Sequence, residues 1–331
     1  MTGLARTCAA TLAESAAFRS KRDIGRVALR IDRAPRAARA FEEREGRILL
    51  GDDTAAIPDG DGYLLFAAEG MLPNFLDADP YFAGFSSVMV NVSDVASMGG
   101  YPIAVCDAYF HAPSSDVDAV LSGMRDACEA YGVPLVGGHT TCRDGGPHCL
   151  AVAILGRARR LLTSFGARPG DVVLLATDLR GQYRDGFPFF DATTGRTKES
   201  LRGDLAIFGA LAEGGEVHAC KDVSNAGIAG SLLMMLEASG VGATLDLDRL
   251  PMPAGATLER WLATFPSFGF LLSVPEVGAG RVCAAFSARG IACQAVGRVD
   301  GSRALRLAAE GEEAPLWDLA ARPFTGFGSP P

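Results

Sequence analysis

The amino-acid sequence predicts a two-domain α/β (α+β) protein, and three observations carry that expectation. Its 331 residues exceed what one hydrophobic core ordinarily serves. It is 48% hydrophobic and 21% charged, a mix with enough apolar material for a sizeable core in each half. Both halves also repeat a strand, helix, strand rhythm, with turn residues between the periodic segments.

Residues 1–45 read as an N-terminal helical arm. Positions 19–47 carry ten Lys or Arg against five Asp or Glu, which suits a solvated surface helix or an arm over an anion-binding mouth. A first domain is expected over 46–158. GDDTAAIPDGDG at 51–62 is a turn dense in Asp and Gly, followed by a strand at 63–68. A helix is expected at 86–98, where Val88, Val92 and Val95 make an apolar stripe and Ser87, Asn91 and Asp94 a polar one. Gly99, Gly100 and Pro102 end it. After a strand at 103–110, an amphipathic helix at 116–131 places Val117, Val120, Met124, Ala127 and Tyr131 on one face. Ser114 or Ser115 can cap it and Gly132 can stop it. Short strands at 134–136 and 149–155 flank a Gly-rich turn, GGHTTCRDGG.

The second domain is expected over 159–331. It opens with a strand at 171–176, then a long stretch without clear periodicity at 181–198. Arg180, Arg184, Arg196 and Lys198 make that stretch basic, suited to an anionic substrate group or simply to solvent. Its FPFF run at 187–190 can stack on a ring or pin the loop to the core. Helices at 201–213 and 226–239 follow, with strands near 243–247, 268–274 and 294–299.

Composition excludes several classes. A formal net charge of −8 argues against nonspecific nucleic-acid binding. No apolar run approaches the roughly 20 residues that a bilayer demands, and residues 1–17 lack a secretory apolar stretch. Neither nucleic acid nor membrane is an expected partner. The eight cysteines form no CxxC pair and suggest neither a zinc site nor a disulfide framework; Cys106 and Cys128 read as buried reduced thiols, and the cytoplasm is the expected compartment. There is no GxSxG, no P-loop and no dinucleotide fingerprint, and the four histidines fall in no triad signature.

What stands out is acid beside glycine at the ends of expected elements. Asp52 and Asp53 lie in the first turn, and Glu69 follows the strand at 63–68. Asp94 sits one turn from Asn91, Asp107 lies within a strand, and Asp222 precedes Ser224 and Asn225 at a helix start. Carboxylates gathered this way suit Mg²⁺, a hard ion that takes oxygen ligands and bridges to phosphate. Such an ion reverses the repulsion between carboxylates and a polyphosphate such as ATP. Taken singly, each acid has an ordinary alternative in turn chemistry or helix capping.

The order of these motifs resembles the PurM-like superfamily: aminoimidazole ribonucleotide (AIR) synthetase, thiamine-monophosphate kinase, selenophosphate synthetase and the hydrogenase maturation dehydratase. GDDTAAI at 51–57 is similar to that family's GDDAAV loop, and VNVSDVASMGGYP at 90–102 to its central helix. GGHTT at 137–141 resembles its GGDTT or GGHT turn. SFGARPGDVVLLATDLRG at 164–181 and KDVSNAGIAGSLLMMLEASGVGATLDLDRLP at 221–251 resemble segments of its second domain. The last segment and the central helix are closest to the thiamine-monophosphate kinase branch. Departures are Glu69 where Asp is usual, His139 and Asn225 where that branch has Asp, and PSFGFLLSV at 266–274 in place of an acidic segment. They point to a separate AIR synthase-related subfamily.

The resemblance implies a PurM-like fold whose N-terminal sheet closes a β-barrel with its mate in a homodimer, beside a C-terminal α/β sandwich. It implies ATP and Mg²⁺ as cofactors. Asp52, Asp53, Glu69, Asp94 and Asp222 would serve the metal, with Asp52, Asp94 and Asp222 at the chemistry. Asn91, Gly137, Gly138, His139 and Thr140 would lie near the nucleotide, His139 as a hydrogen-bond partner, and Ser224, Asn225 and Arg184 near a small-molecule substrate. Three functions stay open: an ATP-dependent enzyme that phosphorylates or activates a small metabolite, a thiamine-monophosphate kinase proper, and a nucleotide-binding regulatory partner without turnover.

Overall fold

The computed structural model describes residues 3–25, 46–146 and 148–326. Most of the basic stretch at 19–47 therefore lies outside the described residues. The chain divides into two compact units. One is Arg47–Leu161 with Gly195–Glu213, and the other is Met1–Gly46, Leu162–Thr194 and Gly214–Pro331. The chain opens with α1 (Leu4–Ala13) and α2 (Ala16–Lys21). Ala5, Cys8, Ala9, Leu12 and Phe18 of these helices are buried in the core of the second unit, so this part of the expected arm is an element of that core.

The first unit begins with the antiparallel hairpin β1 (Ala55–Asp59) and β2 (Gly62–Met71). It continues through α3 (Pro73–Ala78), α4 (Pro80–Ser97), β3 (Tyr101–His111), α5 (Val117–Tyr131), β4 (Leu135–Cys142) and β5 (Cys149–Ala158). The strands form a five-stranded sheet in the order β1-β2-β5-β3-β4. Only β3 and β4 pair in parallel, and α5 is their crossover.

Helix α4 starts six residues before the expected position. The Asp79 carboxylate accepts the Phe82 N–H at 3.3 Å, and Pro80 fills the first turn, where its missing N–H costs nothing. Both of its stripes are buried. Val88, Val92 and Val95 pack inward, while the Asn91 amide donates to the Ser87 carbonyl at 2.8 Å and to the Val152 carbonyl of β5 at 3.0 Å. Helices α4 and α5 touch backbone to backbone, since a Cβ on Gly84 would sit 2.0 Å from the Val120 carbonyl and one on Gly123 would sit 1.9 Å from that of Tyr81. Asp116, not Ser114 or Ser115, caps α5: its carboxylate accepts the Ala119 N–H at 3.1 Å, while the Ser115 hydroxyl is turned back to the Ala112 N–H. Gly132 ends the helix at φ +70, as expected.

Two expectations in this unit are corrected. Glu69 does not follow a strand; β2 runs on to Met71, and Glu69 pairs with Val152 inside the ladder, its side chain exposed. GGHTT is not a turn but the body of β4, because its backbone groups find partners along β3.

The second unit contains β6 (Val172–Thr177), β7 (Gln182–Tyr183) and β8 (Phe189–Asp191). Helix α6 (Lys198–Gly214) belongs almost wholly to the first unit, where the Arg202 guanidinium donates to the Ala130 carbonyl at 3.0 Å. The second unit resumes with β9 (Ala219–Asp222), α7 (Gly227–Ser239), β10 (Gly242–Asp246), α8 (Leu258–Leu262), β11 (Phe265–Pro266), β12 (Gly269–Val274), α9 (Glu276–Ser287), β13 (Ala292–Asp300), β14 (Ala304–Ala309) and β15 (Glu312–Asp318). Its main sheet has seven strands in the order β15-β14-β10-β13-β6-β12-β9. A small sheet β11-β8-β7 orders part of the stretch expected to be aperiodic. There Phe189 and Phe190 are buried, Phe190 edge-on to Trp261 at 5.6 Å, so the FPFF run is a core anchor.

Helix α7 is apolar almost all round and buried in this core. Near its end the buried Glu237 accepts the Phe324 and Thr325 N–H groups at 2.7 Å each, the Thr325 hydroxyl at 2.6 Å and the Gly326 N–H at 3.2 Å. Cys8 and Cys220 are buried, Cys128 is half-buried, and Cys106 is exposed, contrary to expectation, because it points off the outer face of the first sheet. No helix among the described residues is long and apolar enough to cross a membrane.

Candidate functional site

In the first unit the turn after Gly51 and the last turn of α4 bring two acids together. Asp53 and Asp94 each offer a carboxylate oxygen within 4.8 Å of the other. Asp94 is buried at 6% exposure and Asp53 is half-buried. The Ser97 hydroxyl lies 2.6 Å from Asp53 Oδ2 and 2.7 Å from the Asp94 carbonyl. Two like charges so close in a partly desolvated place repel each other. Asp94 also stands in the last turn of α4, which carries no basic residue. Helix carbonyls concentrate negative potential there, a poor place for carboxylates alone and a good one for a cation. Asp52 does not join the pair; its Oδ1 accepts the Asp53 N–H at 2.9 Å and shapes the turn.

Gly137, Gly138, His139 and Thr140 lie side by side on the exposed β4. Gly137 takes φ +150 with open space where a Cβ would point, so the backbone is accessible there. Gly138 faces Asp107 of β3, and a Cβ on it would meet Asp107 Oδ1 at 2.0 Å. Burial raises the Asp107 carboxyl above the ordinary range, and a backbone hydrogen bond partly offsets that. His139 Nε2 lies 2.9 Å from the Thr141 hydroxyl, and its ring leans on Phe110 at 5.6 Å. Asn91 is a fully buried brace between α4 and β5, and Glu69 is remote from it in role, solvated on β2.

In the second unit Asp222 ends β9 and is buried, with Lys221 Nζ at 3.5 Å. Ser224 and Asn225 follow in the turn before α7 but do not cap it; the capping position is Ala226, with no side-chain bond. The Ser224 N–H donates to the Ser231 hydroxyl at 2.9 Å, and the Ser224 hydroxyl is buried without a partner. Arg184 stands 3.6 Å from the buried Asp191 in the small sheet.

Ser97 and Lys221 were not singled out by sequence reasoning. For Ser97 a signal was present, since it lies one helical turn after Asp94 on the same face. Lys221 carried none beyond its place next to Asp222.

Residues 51–158 match the family model described as AIR synthase related protein, N-terminal domain, and residues 197–310 match AIR synthase related protein, C-terminal domain. The chain is 46% identical over 281 residues to the uncharacterized protein sll0787 of Synechocystis sp., covering 85% of this chain and 87% of that one. It is 33% identical over 264 residues to a thiamine-monophosphate kinase of Halobacterium salinarum, covering 75% and 87%. Among solved structures, T. maritima PurL complexed with ATP superposes with a TM-score of 0.68 at 22% identity, covering 82% of this chain. This chain spans about half of that one, 46%, and the likeness is one of fold.

Proposed function

This chain belongs to the AIR synthase-related, PurM-like family, and on that footing we propose that it is an ATP- and Mg²⁺-dependent enzyme that phosphorylates or activates a small metabolite. The observation that carries the reading is the Asp53–Asp94 pair in the last turn of α4. The donor set fits Mg²⁺: two carboxylates, no thiol or imidazole, and a helix end that favours a cation. When bound, Mg²⁺ would be held by Asp53 and Asp94 and would supply positive charge to offset the negative charge of a transferring phosphoryl group.

The rest falls to the chain's own residues. Asp53 and Asp94 hold the ion in place, and Asp52 keeps the turn that presents Asp53. Gly137 and Gly138 let the β4 backbone approach a phosphate, with Thr140 and His139 as hydrogen-bonding groups beside them. Asp222 serves metal or substrate, and Ser224, Asn225 and Arg184 contact substrate. Catalysis is positioning and electrostatics, as is general for phosphoryl transfer. Thiamine monophosphate is the first substrate to try, since the Halobacterium relative is a thiamine-monophosphate kinase.

The same reading includes a homodimer. The sheet face turned away from α4 and α5 carries Phe66, Ala68, Cys106, Ala153 and Leu155 in adjacent register, and Phe66 is 51% exposed. Apolar side chains beside one exposed aromatic make an apolar surface suited to a second copy of itself. Phe66→Lys would then shift the sedimentation coefficient from dimer to monomer.

Calorimetric titration of ATP with and without Mg²⁺ tests the site, followed by an assay of ADP release with thiamine monophosphate and without substrate. Metal-dependent binding that Asp94→Ala abolishes while the variant stays folded is the expected result. Normal nucleotide binding by Asp94→Ala would overturn the site. Binding without turnover on any metabolite would favour a regulatory nucleotide-binding protein over an enzyme.

A further inference from the structure

We propose that Ser97 is a positioning residue for the metal: its hydroxyl fixes the Asp53 carboxylate so that one oxygen is held by the protein and the other is turned to the ion. The inference rests on the reading of Asp53 and Asp94 as metal ligands.

Ser97 is fully buried on the last turn of α4, and Asp53 comes from a separate turn more than forty residues earlier. Its hydroxyl is therefore a side-chain tie between the two segments that carry the carboxylates. Two acceptors compete for the one hydroxyl proton, Asp53 Oδ2 at 2.6 Å and the Asp94 carbonyl at 2.7 Å. An ionised carboxylate is the stronger acceptor, so the proton goes to Asp53. The distance agrees with a short charge-assisted O–H···O⁻ bond. The carbonyl is the fallback, a local bond to the residue one turn back.

A neutral donor matters here. An Arg or Lys in its place would orient Asp53 equally well but would cancel the charge that a divalent cation needs. A hydroxyl removes rotational freedom from Asp53 and leaves its full negative charge for the ion. Ser97 also reports on Asp94, because its backbone position is set by the same helical turn. The two ligands are thereby held at a fixed spacing before any ion arrives, which is the condition for a site bound without reorganisation.

Mn²⁺, read by electron paramagnetic resonance without nucleotide, is a direct probe of affinity that needs no turnover. Removing a partner that orients a metal ligand typically costs 10- to 100-fold in affinity. Ser97→Ala is expected to weaken Mn²⁺ binding about 10- to 100-fold at an unchanged far-UV spectrum, with Ser97→Thr restoring most of it. If Ser97→Ala melts early, Ser97→Thr and Ser97→Val are compared instead, since they match in shape and differ in the hydroxyl; Val should bind Mn²⁺ about 10- to 100-fold more weakly than Thr. Equal Mn²⁺ affinity in the wild type and in the hydroxyl-free variant overturns the inference and leaves the metal site standing. A wild-type protein that takes no Mn²⁺ at all overturns the metal reading itself, and the inference with it.

Discussion

The Tyr109 hydroxyl lies 2.8 Å from His148 Nε2 in the interior of the first unit, and Asp77 Oδ1 stands 2.8 Å from the other ring nitrogen of His148. With Nδ1–H donating to the carboxylate, Nε2 is the acceptor for the tyrosine hydroxyl. Removing the hydroxyl leaves a buried imidazole nitrogen without its donor. Tyr109→Phe should therefore destabilise the protein by about 1–3 kcal/mol in urea unfolding at pH 7.

The same tyrosine makes an alkaline prediction. Burial, then the charges of Asp116 and Asp77, push its hydroxyl up to about 12 from the ordinary value of 10.0. Above the unfolded value the unfolded chain gives up this proton while the folded chain keeps it. Stability from this group is thus complete below pH 10 and is lost as pH rises toward 12. Melting temperatures from pH 8 to pH 11 should fall less steeply in Tyr109→Phe than in the wild type.

Gly138 has no room for a side chain. A methyl there would meet Asp107 Oδ1 at 2.0 Å and the Asp107 carbonyl at 2.6 Å. The carboxylate can swing aside, but the carbonyl is fixed in the β3 ladder. Gly138→Ala should cost about 1–3 kcal/mol, and adding Asp107→Ala should recover only part of it. Chemical denaturation of the single and double variants checks both statements.

In the second unit, the Cys293 thiol donates a hydrogen bond to Cys283, and this holds the Cys283 thiol down at about 7 while Cys293 is raised. The thiolate is the nucleophile. Alkylation of Cys283 by iodoacetamide should reach half its maximal rate near pH 7, and Cys293→Ala should move that midpoint upward. Mass spectrometry of the tryptic peptides distinguishes the two cysteines.

Much of this architecture was readable in the residues, and the misreadings have physical causes. Helix α4 showed itself through Val88, Val92 and Val95, and the resemblance placed Asn91 of its polar stripe near the nucleotide. Only the structure shows Asn91 spending its amide on the Val152 carbonyl of another element. GGHTT has turn composition, and long-range pairing with β3 overrides that preference. The β14–β15 hairpin escaped notice because its turn uses Glu310 at φ +52 before Gly311, without the usual Asn or Asp signal. Asp53 and Asp94 were legible as acids, and helical spacing ties Ser97 to Asp94; that Ser97 also reaches Asp53 depends on a turn and a helix end meeting in space, which no local pattern records.

Glu237 carries a last consequence. Its carboxylate is buried in the second unit and is answered by groups from residues 324–326, far along the chain. A nascent chain that has emerged through β15 has every strand of the sheet but not these donors, and it holds a charge in its interior that nothing yet meets. Completion of this core is thereby tied to the arrival of residues 324–326. Deletion from residue 324 onward would place its defect at the centre of the second unit rather than at a loose end.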